Sequence, residues 1–170
     1  MSTIRVAAAN DAPLILSLVR ELAEYERAPG AVLLSESELR RDGFPSQGDE
    51  RYFECLIAEE GAEAAGFALF FPVYSTWRGR ALHLEDLFVR PRFRSRGIGR
   101  SLLARVAAVA IERQCSLLFW HVLDWNDPAI QFYRSLGAEP LEDWTRMRLP
   151  QEALAALAGD TTVQGDRGGS

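Results

Sequence analysis

The sequence predicts a single domain of mixed α/β structure over residues 1–158, followed by a disordered tail at 159–170. Segments with strand-like apolar patterning alternate with segments whose apolar residues recur at helical spacing. One predicted strand runs directly into a glycine-rich loop and a long helix. With 170 residues, of which 48% are hydrophobic and 25% charged, the chain has the length and composition of a globular protein with one core.

The first predicted elements are a strand at residues 4–8 and a helix whose first turn contains Pro13. Proline fits there because the first N–H groups of a helix have no intrahelical partner. A second, short helix is predicted to begin after Ser35 and to end near Gly43. Ser35 and Glu38 match a capping box, in which each residue bonds the backbone of the other.

The remaining elements continue the alternation of strands and helices. Gly61 marks a turn between two strand-like runs, which predicts a hairpin. A nearly continuous apolar run after the long helix predicts a central strand covered on both faces. Asn126 and Pro128 begin a further helix, which Gly137 ends. In order, the predicted elements are a hairpin at 52–59 and 64–71, a strand at 81–89, a helix from 98 to near Arg113, a strand at 117–122, a helix at 127–136, a final hairpin at 138–149 and a short helix beyond Pro150.

The central feature of the sequence is the arginine- and glycine-rich loop that joins the strand at 81–89 to the long helix. Glycines let backbone N–H groups approach a ligand closely, and the amino-terminal end of a helix favours an anion. The loop does not match a dinucleotide fingerprint, because Leu102 stands where a third glycine is required. It does not match a Walker loop either, because the chain contains no lysine. Two interpretations remain: a phosphate-binding cradle and a solvated loop rich in arginine.

Composition and charge argue against several classes of function. The net charge of −5 argues against nucleic acid as a partner. No apolar run approaches the ~20 residues of a membrane span, and the amino terminus lacks the apolar region of a signal peptide. Cys55 and Cys115 are expected to be buried free thiols in a reducing cytoplasm, so a cytoplasmic location is predicted. His83 and His121 lack the spacing of a metal site, and no metal is expected.

The loop and a second motif further along the chain together resemble a known family. Residues 94–99, and residues 126–138 with the sequence NDPAIQFYRSLGA, are similar to motifs of the GNAT superfamily of N-acetyltransferases. The closer resemblance is to the spermidine/spermine (diamine) acetyltransferases and their thialysine-acetylating relatives. It extends over nearly the whole chain, except the tail. Further matching segments are 20–26, 42–44, 84–86, 125–126 and 132–133.

This resemblance implies a fold and a reaction. The expected GNAT fold is a mixed, mostly antiparallel sheet of roughly six to seven strands, flanked by about four helices and splayed between strands 4 and 5. The expected reaction transfers an acetyl group from acetyl-CoA, the cosubstrate, to a primary amine of a small cationic substrate such as a polyamine, a diamine or thialysine. The expected assembly is a homodimer. A protein or peptide N-acetyltransferase and a non-catalytic acetyl-CoA-binding module are the alternatives.

The resemblance also implies two catalytic residues. Tyr133 matches the family's general acid, and a phenol is protonated at neutral pH; the alternative is a core aromatic like Phe132. Glu85 matches the base that takes a proton from the substrate ammonium, directly or through water. Asp86 would point to the opposite face of a regular strand, so both carboxylates face the site only if the strand has a bulge. Asp86 is then a substrate-side or structural carboxylate, or alternatively the ion-pair partner of an arginine. No serine has a base nearby in the sequence, and direct transfer in a ternary complex is expected.

Two further sets of residues are expected to hold acetyl-CoA and the amine. Backbone groups and arginine charges suit a pyrophosphate, whereas carboxylates and aromatic faces suit an ammonium group. Asn126 is alternatively a helix cap, and Trp144 a core or interface residue. The cofactor-binding set is Leu87, Phe88, Val89, Arg94, Ser95, Arg96, Gly97, Ile98, Gly99, Arg100, Asn126 and Tyr133. The substrate-binding set is Tyr25, Glu26, Trp77, Glu85, Asp86, Trp125 and Trp144.

Overall fold

A five-stranded sheet is the centre of the first of two units in the computed structural model, which describes residues 2–141 and 145–159. The units are Met1–Leu123 and Asp124–Ser170. The strands are β1 (Ser2–Val6), β2 (Glu54–Glu60), β3 (Glu63–Ser75), β4 (Gly79–Val89) and β5 (Leu117–Trp120). β1 to β4 are antiparallel neighbours in chain order, and β5 joins β4 in parallel. The predicted mixed, mostly antiparallel sheet is confirmed, with five strands in the described residues where six to seven were expected.

Helices α1 (Ala12–Tyr25) and α2 (Glu36–Gly43) cover one face of the sheet. The predicted capping box of α2 is present, since the backbone N–H of Ser35 donates to Oε2 of Glu38 at 2.8 Å. Both thiols are free; Cys55 is buried under the two helices and Cys115 is half-buried. The buried core on this face includes Ile15, Leu18, Leu22, Leu39, Cys55, Ile57, Phe67, Leu69 and Phe88.

Helix α3 (Ile98–Glu112) contacts the sheet from its other side. Leu102 and Val106 of this helix are fully buried. Phe70 and Leu84, which alternate along their strands with residues of the α1 core, are also buried. The sheet therefore lies between two helical layers. In the part of the chain that the structure describes, no helix combines the length and the apolar character needed to cross a lipid bilayer.

β4 and β5 pair along only part of their length. Ala81–Leu84 pair with Leu117–Trp120, and residues 85–89 of β4 have no partner on that side among the described residues. The predicted separation between strands 4 and 5 is therefore confirmed. The expectation that β5 is a central strand is wrong for the described sheet, because β5 is its edge and Leu117 is 39% exposed. An apolar run indicates that a strand contacts a hydrophobic core. It does not indicate that the strand is hydrogen-bonded to neighbouring strands on both sides.

Arginine–carboxylate pairs connect the elements of the first unit. Arg5 on β1 contacts Asp11 at 2.7 Å and Glu59 at 2.8 Å. Arg90, which follows β4, donates from Nε to Glu21 of α1 at 2.8 Å. These hydrogen bonds lower the pKa of Asp11 and of Glu21 below the ordinary values. Arginine thus neutralises these carboxylates at the junctions between elements.

The second unit contains α4 (Asp127–Arg134) and α5 (Gln151–Gly159). The final hairpin predicted at 138–149 is not found, since the described parts of that segment, 138–141 and 145–149, contain no strand. Leu141 and Met147 are exposed there, and a hairpin without a buried apolar face is only marginally stable. Residues 142–144, and the predicted tail from residue 160 onward, lie outside the described residues.

Candidate active site

A β-bulge in β4 brings two consecutive carboxylates to one face of the sheet. The pairing of β3 with β4 skips Glu85, which makes it the extra residue of the bulge. Asp86 lies opposite Leu69, a residue of the α1 core. Glu85 contacts His83, which lies opposite Phe71 on that same face. The alternation of a regular strand therefore fails here, and Glu85 and Asp86 point to the same side.

Glu26, which follows the last residue of α1, forms an acidic cluster with Glu85 and Asp86. Burial, together with the charges of Glu85 and Glu26, raises the pKa of Asp86 from 3.8 to about 7. Loss of solvation also raises the pKa of Glu26. Among the described residues neither Asp86 nor Glu26 has an ion-pair partner, whereas Glu21 is paired with Arg90. The acidic cluster therefore lacks a counter-charge that an ammonium group can supply.

Tyr25, the last residue of α1, contacts the loop that follows β4. The guanidinium of Arg94 lies over the Tyr25 ring, 4.6 Å from its centroid. Nε of Arg94 donates to the carbonyl oxygen of Val89 at 2.9 Å. Arg94 belongs to the expected cofactor-binding set, but its guanidinium lies beside the tyrosine of the substrate-binding set. This contact joins two regions that the sequence analysis treated separately.

The loop before α3 has the backbone geometry of an anion-binding nest. Ser95 and Gly97 have positive φ angles of 61° and 80°, and Arg96 between them does not. Such alternation turns successive N–H groups toward one point. Gly97 is the N-cap of α3, whose first N–H groups have no intrahelical acceptor. The loop and the helix end together can bind a phosphate group. The sequence predicts backbone freedom at Gly97 but not at Ser95.

The arginines of this loop differ in what they contact. NH1 of Arg96 lies 2.7 Å from Oε1 of Glu60, so its charge is compensated within the chain. Arg100 is exposed and has no ion-pair partner in the residues described. An anion bound at this loop would therefore be held mainly by the backbone N–H groups and by the charge of Arg100. Arg94 and Arg96 would contribute less of their charge.

The carboxyl-terminal end of β4 has one open side. Leu87, Phe88 and Val89 pair with β3 and, among the described residues, not with β5. The Val89 carbonyl oxygen already accepts from Arg94, so the other backbone groups that face away from β3 can bond a ligand. Gly66 of β3 lies opposite Val89, and a Cβ atom there would lie only 2.3 Å from the carbonyl oxygen of Phe88. Gly66 is not among the residues that the sequence predicted for the site. A glycine inside a strand pattern is the signal that could have found this close approach.

Asn126 is the N-cap of α4 and Tyr133 lies within this helix, in the second unit. Asn126 is 8% exposed, and its Oδ1 accepts a hydrogen bond from the backbone N–H of Ala129 at 3.4 Å. It therefore caps the helix, as the alternative interpretation expected. Tyr133 is half-buried, with its ring centroid 5.2 Å from that of Phe132. Glu85 and Tyr133 thus come from different units of the chain.

The tryptophans of the substrate set lie in three different places. Trp77 is in the turn between β3 and β4 and is 81% exposed. Gly79, where β4 begins, is six residues from Glu85, which corresponds to about 20 Å of strand. Trp77 is therefore far from the acidic cluster of its own chain. Trp125 precedes α4 and is exposed. Trp144 lies outside the described residues.

His83 is a residue whose contact the sequence analysis did not predict. It is buried, and its Nε2 lies 3.1 Å from Oε2 of Glu85. The two residues are separated by one position, a spacing that places side chains on the same face of a strand; this was the available signal.

Within the described ranges, no group of three or more histidine, cysteine or acidic side chains is arranged to hold a metal ion.

Comparisons with known proteins bear on this geometry. Residues 17–138 match the family described as "Acetyltransferase (GNAT) family". The chain is 42% identical over 167 residues to thialysine N-epsilon-acetyltransferase of Sus scrofa, covering 92% of this chain and 96% of that protein. It is 39% identical over 165 residues to spermidine/spermine N(1)-acetyltransferase-like protein 1 of Homo sapiens, covering 91% and 23%. A solved integron cassette protein from the mobile metagenome of V. cholerae has a TM-score of 0.74 at 25% identity, covering 92% of this chain and 97% of that one.

The family match covers the sheet from β2 to β5, the loop before α3 and helix α4. The relatives extend the similarity to nearly the whole chain. The fold, with four antiparallel strands and a parallel fifth that separates from the fourth, agrees with that match. The chain belongs to the GNAT family and is an acetyl-CoA-dependent N-acetyltransferase.

Proposed function

We propose that this acetyltransferase acts on a primary amine of a small cation: a polyamine, a diamine or a thialysine-like compound. The acidic cluster of Glu26, Glu85 and Asp86 carries the proposal, because two of its carboxylates lack an ion-pair partner among the described residues. A substrate with a second ammonium group would present one amine for reaction and place the other against a carboxylate. Relatives named for thialysine and for spermidine/spermine support this substrate class.

Acetyl-CoA supplies the acetyl thioester, and the residues around the start of α3 fit its diphosphate. The backbone N–H groups of residues 95–100 would bind the phosphates, and Arg100 would add charge. Arg94 and Arg96 would contribute through the backbone, because their guanidinium groups are engaged within the chain. The open side of β4 at 87–89 would bond the pantetheine, and the Asn126 amide would add a contact to it.

Glu85 would act as the base and Tyr133 as the acid in the two proton transfers of the reaction. Glu85 accepts a proton from the substrate ammonium, directly or through one water, so that the neutral amine can attack. Tyr133 gives its phenol proton to the thiolate that leaves, and the second proton that the nitrogen loses as the amide forms restores the phenol. The acetyl group passes directly between the two bound substrates, without a covalent intermediate on the protein.

A homodimer would complete the substrate pocket. Trp77 is 81% exposed and lies far along β4 from the acidic cluster of its own chain. An interface would cover this ring, and Trp125 and Trp144 would supply further aromatic faces for ammonium groups. We place the enzyme in the cytoplasm, because Cys55 is a free thiol in a buried core.

Release of free CoA measures the reaction and tests the substrate class. The panel is spermidine, putrescine, thialysine, lysine and a histone-like peptide at saturating acetyl-CoA. We expect turnover with at least one small cation to exceed turnover with the peptide. Asp86→Asn should raise the KM for that amine and not the KM for acetyl-CoA, and the exposed Asp49→Asn is the matched control. Faster turnover of the peptide would favour a protein acetyltransferase. Acetyl-CoA binding without turnover of any amine would favour a non-catalytic module.

A further inference from the structure

His83 has a fixed position beside the proposed base. Its side chain is 5% exposed, and three rings surround the imidazole. The centroids of Phe71, Phe119 and His121 lie 5.0, 4.8 and 5.2 Å from that of His83. Nε2 of His83 lies 3.1 Å from Oε2 of Glu85. The imidazole therefore has little rotational freedom, and it presents one nitrogen to the carboxylate.

The backbone around His83 is more regular than the backbone around Glu85. His83 pairs with Phe71 on β3 and with Phe119 on β5, so hydrogen-bonded strands hold it on both sides. Glu85 is the bulge residue and lies beyond the last β4–β5 pair. The contact between these two side chains thus joins the rigid part of the sheet to the irregular part that carries the acidic cluster.

Glu85 needs such a contact to stay in one orientation. Its side chain is 46% exposed, and a long exposed side chain samples several rotamers. The other groups of the cluster, Asp86 beside it and Glu26 at the end of α1, are acidic, so neither offers the Glu85 carboxylate a positive charge. Of the two imidazoles in this region, His83 contacts Glu85, and His121 packs behind His83. Because an ionised carboxylate only accepts hydrogen bonds, a proton on Nε2 makes this contact attractive.

We propose that His83 is a positioning residue, which holds the Glu85 carboxylate in the orientation that accepts the proton of the substrate ammonium. The proposal rests on the base role proposed for Glu85. The proton moves from the ammonium nitrogen to a carboxylate oxygen of Glu85, and the N–H bond electrons remain on the amine. His83 keeps its own Nε2 proton and does not take part in the transfer.

Two substitutions test this role. His83→Leu removes the donor and keeps a buried apolar side chain, whereas His83→Gln restores an N–H group near the position of Nε2. We expect His83→Leu to lower kcat by about 10- to 100-fold, because a misplaced catalytic group costs rate rather than binding. The KM for acetyl-CoA should stay unchanged, and His83→Gln should recover most of kcat. His121→Leu is the matched control, with kcat within about twofold of wild type. An equal loss in His121→Leu, or no recovery in His83→Gln, would overturn the proposal.

A double-mutant cycle with Glu85→Gln separates positioning from packing. If His83 acts only through Glu85, His83→Leu should lower kcat no further in the Glu85→Gln background. Additive losses would overturn the proposal. A weakly basic amine that is already neutral at the assay pH has no ammonium proton to give to Glu85 before it attacks, so the His83→Leu variant should acetylate it at the wild-type rate. An equal loss with this amine would indicate a structural role instead.

The cycle also distinguishes this inference from the proposed function. Unchanged turnover in Glu85→Gln would contradict the base role of Glu85 and this inference with it. A loss in Glu85→Gln without a loss in His83→Leu would contradict this inference alone.

Discussion

Replacing Asp86 with asparagine should make the folded protein more stable relative to wild type, and this difference should increase as the pH rises. The pKa of Asp86 is raised from 3.8 to about 7, first by burial and then by Glu85 and Glu26. The folded state therefore binds the proton more tightly than the unfolded state. A group of this kind contributes stability that is fully present at low pH and is lost as the pH rises through about 7. Asparagine keeps the shape of the side chain and has no such proton to lose.

The size of the effect follows from the position of Asp86. Between pH 5 and pH 8 the wild-type protein should lose at most about 3 kcal/mol of unfolding free energy relative to Asp86→Asn, at about 1.4 kcal/mol for each pH unit below the raised pKa. Asp86 is half-buried, and the water that reaches it screens its charge. We therefore expect a difference of about 1–2 kcal/mol.

Urea unfolding followed by tryptophan fluorescence, at both pH values and without substrates, measures this difference. Glu26→Gln serves as a second background, since its removal leaves less negative charge opposing Asp86. In that background the pH-dependent difference should become smaller. If the free energies of unfolding of wild type and Asp86→Asn differ by the same amount at pH 5 and pH 8, burial and charge do not raise the pKa of Asp86 in the folded protein.

Three further substitutions test the loop, the strand and helix α4. Gly97→Ala forces a side chain into a φ of 80°, at a cost of about 1–2 kcal/mol, and should raise the KM for acetyl-CoA far more than that for the amine; the reverse would contradict the phosphate cradle. Gly66→Ala places a Cβ atom 2.3 Å from the Phe88 carbonyl oxygen and should lower the free energy of unfolding by about 1–3 kcal/mol. An unchanged Tm by calorimetry would show that β3 and β4 do not approach each other so closely there. Tyr133→Phe keeps the ring and removes the proton, and should lower kcat about 100-fold with both KM values retained. Wild-type turnover by correctly folded Tyr133→Phe would refute the acid role.

Local signals in the sequence predicted much of this fold. The capping box at Ser35 and Glu38 involves residues three positions apart, so the sequence contains the whole interaction. The helix after Gly97 and the strand before Pro91 are similarly local, because a left-handed glycine and a proline act on the backbone at their own positions. Such features need no knowledge of what packs against them.

The remaining features depend on contacts between distant segments. The bulge at Glu85 arises from the register of β4 against β3, which the pattern of β4 alone does not encode. Arg94 meets Tyr25 only after α1 and the loop before α3 reach the same side of the sheet. The edge position of β5 and the absence of strands in the described parts of 138–149 are likewise set by which neighbours are available.

The arginine pairs at the junctions between elements have a chemical consequence for an enzyme that modifies amines. A lysine ε-amino group is itself an acceptor for an acetyl group, and acetylation would abolish its charge. This chain contains no lysine, so the cations that bond Asp11 and Glu21 are guanidinium groups of Arg5 and Arg90. The protein therefore has no side-chain amine that acetyl-CoA could acetylate. The ion pairs that connect β1 and β4 to their neighbours cannot lose their positive charge in this way.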